Sequence, residues 1–235
     1  MPVDRIIFLG SGPSVSLPLL ACFDAKCKCC VSARTNIKDK NNRFNTSILV
    51  QSKLTNVLFD CGKTFYAAAR RTLVPLGVEN IDGVVLSHGH ADAVLGLDDL
   101  RHYTRFRSPC KDPLTVYCDE DTFSVVRSSF GYLVNTRTAT GSGDVASLMF
   151  SPHMAPFVPF LIGDVEIVPM QVEHGLHPDG TPYMCNAFLI DRKIIFISDV
   201  SFVPETVYRF IAENFVNSPT ELLILDCLFP NRDMQ

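Results

Sequence analysis

The sequence predicts an α+β fold, in which two β-sheets pack face to face and carry helices on their outer faces. Three observations predict it. Strand patterns outnumber helical ones, consecutive strands are joined by short turns, and no regular strand–helix alternation runs along the chain. The 235 residues are 47% apolar and 20% charged, which suits one domain with a sizeable core, residues 1–235, rather than a disordered chain. The net charge of −4 disfavours a broad grip on long nucleic acid. No apolar run reaches the roughly 18 residues of a membrane span. The first ten residues lack the charged and apolar regions of a secretory signal, so no membrane partner and a cytoplasmic location are expected.

The elements follow in order. Residues 5–9 (RIIFL) read as a strand leading into Gly10-Ser11-Gly12-Pro13-Ser14. That stretch is a plain loop, because Pro13 and Pro18 interrupt any helix and no Lys stands where a phosphate loop needs one. Strands are predicted at 46–51 and 56–60, joined by a turn, and an Ala- and Arg-rich helix at 65–73. Residues 82–87 form a buried-type strand ending at His88, and a helix spans 92–101. A strand at 114–118, a helix at 122–129 and a surface loop at 139–143 come next. Strands at 165–173, 187–190, 193–198 and 221–226 complete the set, with a helix at 204–214 that places Pro204 in its first turn.

Ser87-His88-Gly89-His90-Ala91-Asp92 carries the most chemistry. His88 and His90 are two apart, so an extended backbone points both imidazoles the same way, and Gly89 leaves room between them. Imidazole suits zinc or iron, and the Asp92 carboxylate can bind or bridge a second ion. His174 and Asp199 also follow strands, and that shared placement would gather ligands from distant parts of the chain. The metal set is therefore His88, His90, Asp92, His174 and Asp199. Asp92 and Asp199 are the candidate catalytic carboxylates, orienting a metal-bound water and taking its proton. Asp199 has N-capping of the 204–214 helix as its ordinary alternative. Asp60, also at a strand end, is assigned to orienting a ligand from behind.

Nine cysteines, an odd number in a chain of this size, argue against a disulfide scaffold and for reduced thiols. Cys22, Cys27, Cys29 and Cys30 lie within nine residues, and Cys27-x-x-Cys30 has zinc-knuckle spacing. Cys61, Cys110, Cys118, Cys185 and Cys227 are read as small buried apolar residues. His177, three residues after His174, borders the expected cleft and is a candidate substrate contact. His102 and His153 are read as surface residues, Arg101 and Arg105 as a solvated helix face, and the Asn45-Thr46-Ser47 sequon as chance.

These residues resemble the metallo-β-lactamase fold family, and within it the subgroup similar to phosphoribosyl cyclic-phosphate phosphodiesterases. The resemblance rests on HGHAD, with Asp60-Cys61-Gly62 upstream and His174 and Asp199 downstream. FLGSGPS, Cys27-Lys28-Cys29-Cys30, Gly96-Leu97-Asp98-Asp99-Leu100-Arg101 and Pro178-Asp179-Gly180-Thr181-Pro182-Tyr183 extend it over nearly the whole chain. It implies an αββα sandwich of two mixed sheets around a two-metal hydrolytic centre. It also implies a structural zinc near the N-terminus, for which Cys22, Cys27 and Cys30 are the expected ligands and Cys29 the substitute for a missing C-terminal His.

Two departures stand out. The family motif HxHxDH ends here in Ala93, and residues 230–235 contain none of the family's terminal His, so a shortened C-terminus is expected. The second metal site is thereby depleted. Asp99, seven residues after Asp92, shares its face on a continuous helix about 10 Å away and is the neighbouring candidate. The expected activity is metal-dependent hydrolysis of a small or cyclic phosphodiester by a metal-bound water, with zinc at the centre and manganese or iron as alternatives. Thioester and β-lactam hydrolysis use similar ligands. A non-catalytic metal- or ligand-binding protein of the same fold is the competing expectation. The oligomeric state stays open, with a homodimer one option.

Overall fold

The computed structural model describes residues 3–104, 113–138, 145–215 and 220–228. Among these residues one sheet holds six strands, paired in chain order: β1 (Val3–Gly10), β2 (Ser47–Ser52), β3 (Asn56–Phe59), β4 (Gly83–Val85), β5 (Leu114–Tyr117) and β6 (Leu148–Ser151). The other holds β7 (Phe160–Ile162), β8 (Val165–Leu176), β9 (Pro182–Ile190), β10 (Ile194–Ile197) and β11 (Leu222–Leu225), also paired in chain order. The helices are α1 (Lys28–Thr35), α2 (Phe65–Thr72), α3 (Ala91–Val94), α4 (Arg101–Thr104), α5 (Glu120–Ser129), α6 (Gly131–Val134) and α7 (Glu205–Asn214).

Both sheets are mixed. In the first, β1, β2 and β3 pair antiparallel, while β3 to β6 run parallel because helical crossovers separate them. In the second, β7 to β10 are antiparallel and β11 joins β10 in parallel. The strand period of two divides each strand between two apolar layers. Ile48, Val50, Val57, Phe59 and Val85 meet Ile167, Phe188, Ile190 and Phe196 between the sheets. There Phe59 lies edge-on to Phe188 and Phe196, at centroid distances of 5.2 and 5.8 Å. Leu49, Leu58, Val84 and Val116 face outward onto Phe65, Ala68 and Ala69 of α2, and Val168, Met170, Val172 and Leu189 face Val207 of α7. The expected sandwich, helices outside, is the observed architecture.

Local departures have identifiable causes. The helix expected over 92–101 breaks into α3, a 3₁₀ turn at Leu97–Leu100, and α4. The Asp60–Gly62 loop lies against it: Cys61 N–H donates to Ala93 O (2.7 Å) and Gly96 N–H to Cys61 O (2.8 Å). The contact is so close that a Cβ on Gly62 would fall 1.7 Å from the Asp92 carbonyl oxygen. The continuous helical face expected to join Asp92 to Asp99 therefore does not exist. Pro204 is the N-cap of α7 rather than a first-turn residue, its carbonyl accepting from Val207 N–H (2.9 Å), and Asp199 lies too far upstream to cap. Strands β8 and β9 run beyond their expected ends and form a long hairpin. The short elements α1, α6, β6 and β7 carry no clear pattern in the sequence. The 139–143 loop, Arg105 and Cys110 lie outside the described residues. Among the described residues no helix is long and apolar enough to cross a membrane.

The topology positions the site. Parallel β3, β4 and β5 bring Asp60, His88 and Asp119 to one edge of the first sheet. Strands β8 and β10 run the same way in the second, and bring His174 and Asp199 to the facing edge.

Candidate metal centre

Beyond β4 the chain keeps its tie to β5, with Leu86 N–H donating to Tyr117 O at 2.9 Å. Asp60 ends β3 in the left-handed region, at φ 59°, a conformation an aspartate tolerates better than most residues. That turn aims its buried carboxylate at Ser87: Oδ1 accepts the Ser87 N–H and Oδ2 the Ser87 hydroxyl, each at 2.8 Å. Ser87 Oγ lies 2.8 Å from His88 Nδ1. Asp60 thus reaches His88 through an intervening hydroxyl. Burial pushes the Asp60 carboxyl up to about 8, against the lowering effect of the two Ser87 hydrogen bonds.

One nitrogen each from His88, His90 and His174 lies within 4.8 Å of the others. The ring centroids are 4.7 Å apart for His88–His90 and 5.2 Å for each pair with His174. Burial, and then the neighbouring imidazoles, lower His88 to about 3. His90 is lowered by burial and then by His174, opposed by Asp92. Three imidazole nitrogens gathered this closely fit a divalent cation. A second observation agrees: His88 Nε2 is buried and has no hydrogen-bond partner among the described residues.

The carboxylates stand beside the three nitrogens. Asp199 Oδ1 is 3.9 Å from His174 Nε2. Burial raises Asp199 to about 6, with His174 opposing and Asp92 reinforcing the shift. Asp92 sits in the first turn of α3. Ala93, where the family motif has its last His, is buried in the outer apolar layer of the first sheet. Asp99 interacts electrostatically with His102 and Cys61, while Asp98 takes the ion pair with Arg101 that removes Arg101 from a free helix face. His177 is exposed in the β8–β9 turn, its ring 5.2 Å from Tyr183.

The sulfurs of Cys22, Cys27 and Cys30 lie within 4.8 Å of one another, and Cys29 does not join them. Helix α1 explains the split, because Cys27, its N-cap, and Cys30 are three residues apart on one side, while Cys29 is turned away by a helical step. The Cys27 thiol is pulled below its ordinary value, first by the Cys30 backbone N–H and then by the Cys22 and Cys30 thiols. Cys61, Cys118 and Cys185 are buried as expected. Cys227 is exposed instead, since it follows the edge strand β11. Asn45 is buried too, and its amide donates to Pro13 O and Ser14 O at 3.0 Å, pinning the N-terminal loop.

Several contributors escape sequence reasoning. Tyr183 stacks on His90 at 4.7 Å with only 10° between the rings, and its oxygen accepts from Gly89 N–H at 3.2 Å. Asn186 donates to Ser87 O through its backbone (2.8 Å) and its side chain (2.9 Å). Cys185 Sγ is 3.7 Å from His88 Nδ1. Ser87 and Asn186 do carry a signal, as polar residues beside otherwise apolar strand sequences.

Comparisons with known proteins show the family and the fold. The family model described as "Beta-lactamase superfamily domain" matches residues 55–234. An octanoyltransferase of Porphyromonas gingivalis is 29% identical over 197 residues, 83% of this chain and 36% of that protein. A ribonuclease Z of Methanosarcina mazei is 32% identical over 130 residues, 54% of this chain and 34% of that protein. The chain thus spans about a third of the length of these two relatives. Among solved structures, a diphosphatase from the PhnP family superposes with a TM-score of 0.68 at 22% identity, covering 93% of this chain and 86% of that one.

Proposed function

The chain belongs to the beta-lactamase superfamily, and on that footing we propose that it is a metal-dependent hydrolase acting on a small or cyclic phosphodiester. The observation that carries the reading is the convergence of three imidazoles, with His88 Nε2 buried and unpartnered. His88, His90 and His174 would hold a divalent ion, zinc first, with manganese or iron as alternatives. When bound, such an ion acidifies a water molecule and polarises a phosphoryl oxygen. Asp199 would orient the attacking water at Oδ1 and take its proton. Asp92, in the first turn of α3, would orient the water or help hold a second ion. Tyr183 and His177 would wall the entrance and exclude bulk water. The net charge of −4 favours a small substrate over a long nucleic acid. The ribonuclease Z and octanoyltransferase names belong to proteins of which this chain matches about a third, so neither activity is adopted.

Cys22, Cys27 and Cys30 would hold a separate structural zinc, with a fourth position outside this trio. A second reading is favoured by one observation: Ala93 fills an apolar layer where the motif's third imidazole belongs. A single-ion or purely binding protein would follow from it. Metal analysis of the purified protein, with turnover of bis(p-nitrophenyl) phosphate, separates the two. Zinc at the histidines with turnover lost in His88→Ala supports the hydrolase. An occupied centre without turnover supports the binding protein, and an empty histidine cluster ends both readings.

A further inference from the structure

Ser87 has every polar atom committed. Its N–H donates to Asp60 Oδ1 (2.8 Å) and its carbonyl accepts two hydrogen bonds from Asn186, at 2.8 and 2.9 Å. The Asn186 amide also donates to Asp119 Oδ2 at 2.5 Å, and Asp119 Oδ1 caps α5 through Thr122 N–H at 2.8 Å. Ser87 is therefore gripped from the end of β3, from β9 and, through Asp119, from the start of α5. A hydroxyl has one proton and two lone pairs. When Asp60 is ionised that proton goes to Oδ2 at 2.8 Å, and Oγ turns only lone pairs toward His88 Nδ1, also 2.8 Å away.

We propose that Ser87 is the positioning residue of the centre: its hydroxyl, oriented by the ionised Asp60 carboxylate, accepts the Nδ1–H of His88 and thereby leaves the Nε2 lone pair facing the metal. The proposal rests on the metal reading above and deepens it. A carboxylate commonly orients a metal-bound imidazole directly. Here the carboxylate acts one step removed, and the hydroxyl sets both the ring's direction and its tautomer. The relay has a sense. When the group at position 60 donates to Ser87 Oγ, as a protonated Asp60 does, the hydroxyl proton turns to His88 Nδ1 and the imidazole proton moves to Nε2, closing it to a metal.

Asp60→Asn builds that reversal. The Ser87 N–H needs an acceptor, so the carbonyl oxygen of the introduced amide takes the place of Oδ1, and its nitrogen faces Ser87 Oγ and donates to it. Two measurements test the relay, with circular dichroism confirming the fold of each variant. The first is the ¹⁵N signature of His88 in metal-free protein at pH 9, above the value of about 8 for Asp60, assigned by difference from His88→Gln. Wild type is expected to show the Nδ1–H form and Asp60→Asn the Nε2–H form. The second is zinc affinity by chelator competition, also at pH 9. Ser87→Ala is expected to bind about 10- to 100-fold more weakly, and Ser87→Thr, which keeps the hydroxyl, to recover most of the loss. An Nε2–H signal in wild type, or wild-type affinity in Ser87→Ala, overturns the proposal. Should Ser87→Ala fail to fold, the wild-type and Asp60→Asn spectra decide it. A wild type that binds no zinc at the histidines defeats the metal reading, and the Nδ1–H signal still reports on the relay separately.

Discussion

At the scale of single residues, the site is governed by what burial does to ionisable groups. Asp60 and His88 are pushed in opposite directions, and stability should register both. The folded protein holds a proton on Asp60 up to about 8 rather than the ordinary 3.8, so stability falls as pH rises between those values. His88 resists protonation down to about 3 rather than 6.5, so stability falls as pH drops through that window. The two effects oppose each other below pH 6.5, and Asp60 dominates above it. Metal-free protein is therefore expected to lose stability from pH 6.5 to 8, with a slope of at most about 1.4 kcal/mol per pH unit. Calorimetric Tm against pH checks this, and Asp60→Asn should flatten the profile in that window. Tyr183 offers a second test at this scale. Its ring lies flat against His90, so Tyr183→Leu should weaken zinc binding by up to about tenfold. Tyr183→Phe keeps the ring and should stay nearer wild type; equal losses in a chelator titration would reject the stacking role.

At the scale of elements, the decisive contact joins two loops about 30 residues apart in the chain. Gly62 backs directly onto the Asp92 carbonyl, and the same loop ends α3 after four residues. Gly62→Ala is expected to cost about 3 kcal/mol or more, because its neighbour is backbone and cannot rotate away. Urea denaturation would measure this, and zinc affinity should fall with it, since α3 carries Asp92. A mild effect on both would mean that α3 shifts freely. Much at this scale is legible from sequence. The 46–51 and 56–60 strands, the 65–73 helix and the strand ending at His88 follow from apolar patterning and turn residues close in the chain. The broken 92–101 helix is not legible. Its local pattern is helical, and what stops it is a loop from about 30 residues earlier, invisible to any window along the chain. Cys29 makes the same point on a shorter range: four cysteines in nine residues look equivalent until the helix rotates one away.

At the scale of the whole molecule, the inter-sheet layer is the common support of the site. Phe59, Phe188 and Phe196 pack across it, and the strands that carry them include or lead to Asp60, Asn186 and Asp199. Phe188→Ala should destabilise the protein by about 3–5 kcal/mol. Its urea transition should stay single, because both sheets share that layer. Two resolved transitions would show that the sheets unfold separately.

The chain's own pattern suffices to specify two packed sheets with outer helices, and to name His88, His90, Asp92, His174 and Asp199 as candidate ligands. Strand periodicity and imidazole chemistry are properties of the sequence itself, independent of where the strands end up. Which cysteines share a point, where Asp99 stands, and that Asp60 meets His88 through Ser87 required the folded molecule. Each of these depends on distances between segments tens of residues apart or on a helical rotation, and it is packing and hydrogen bonding across those segments that set them.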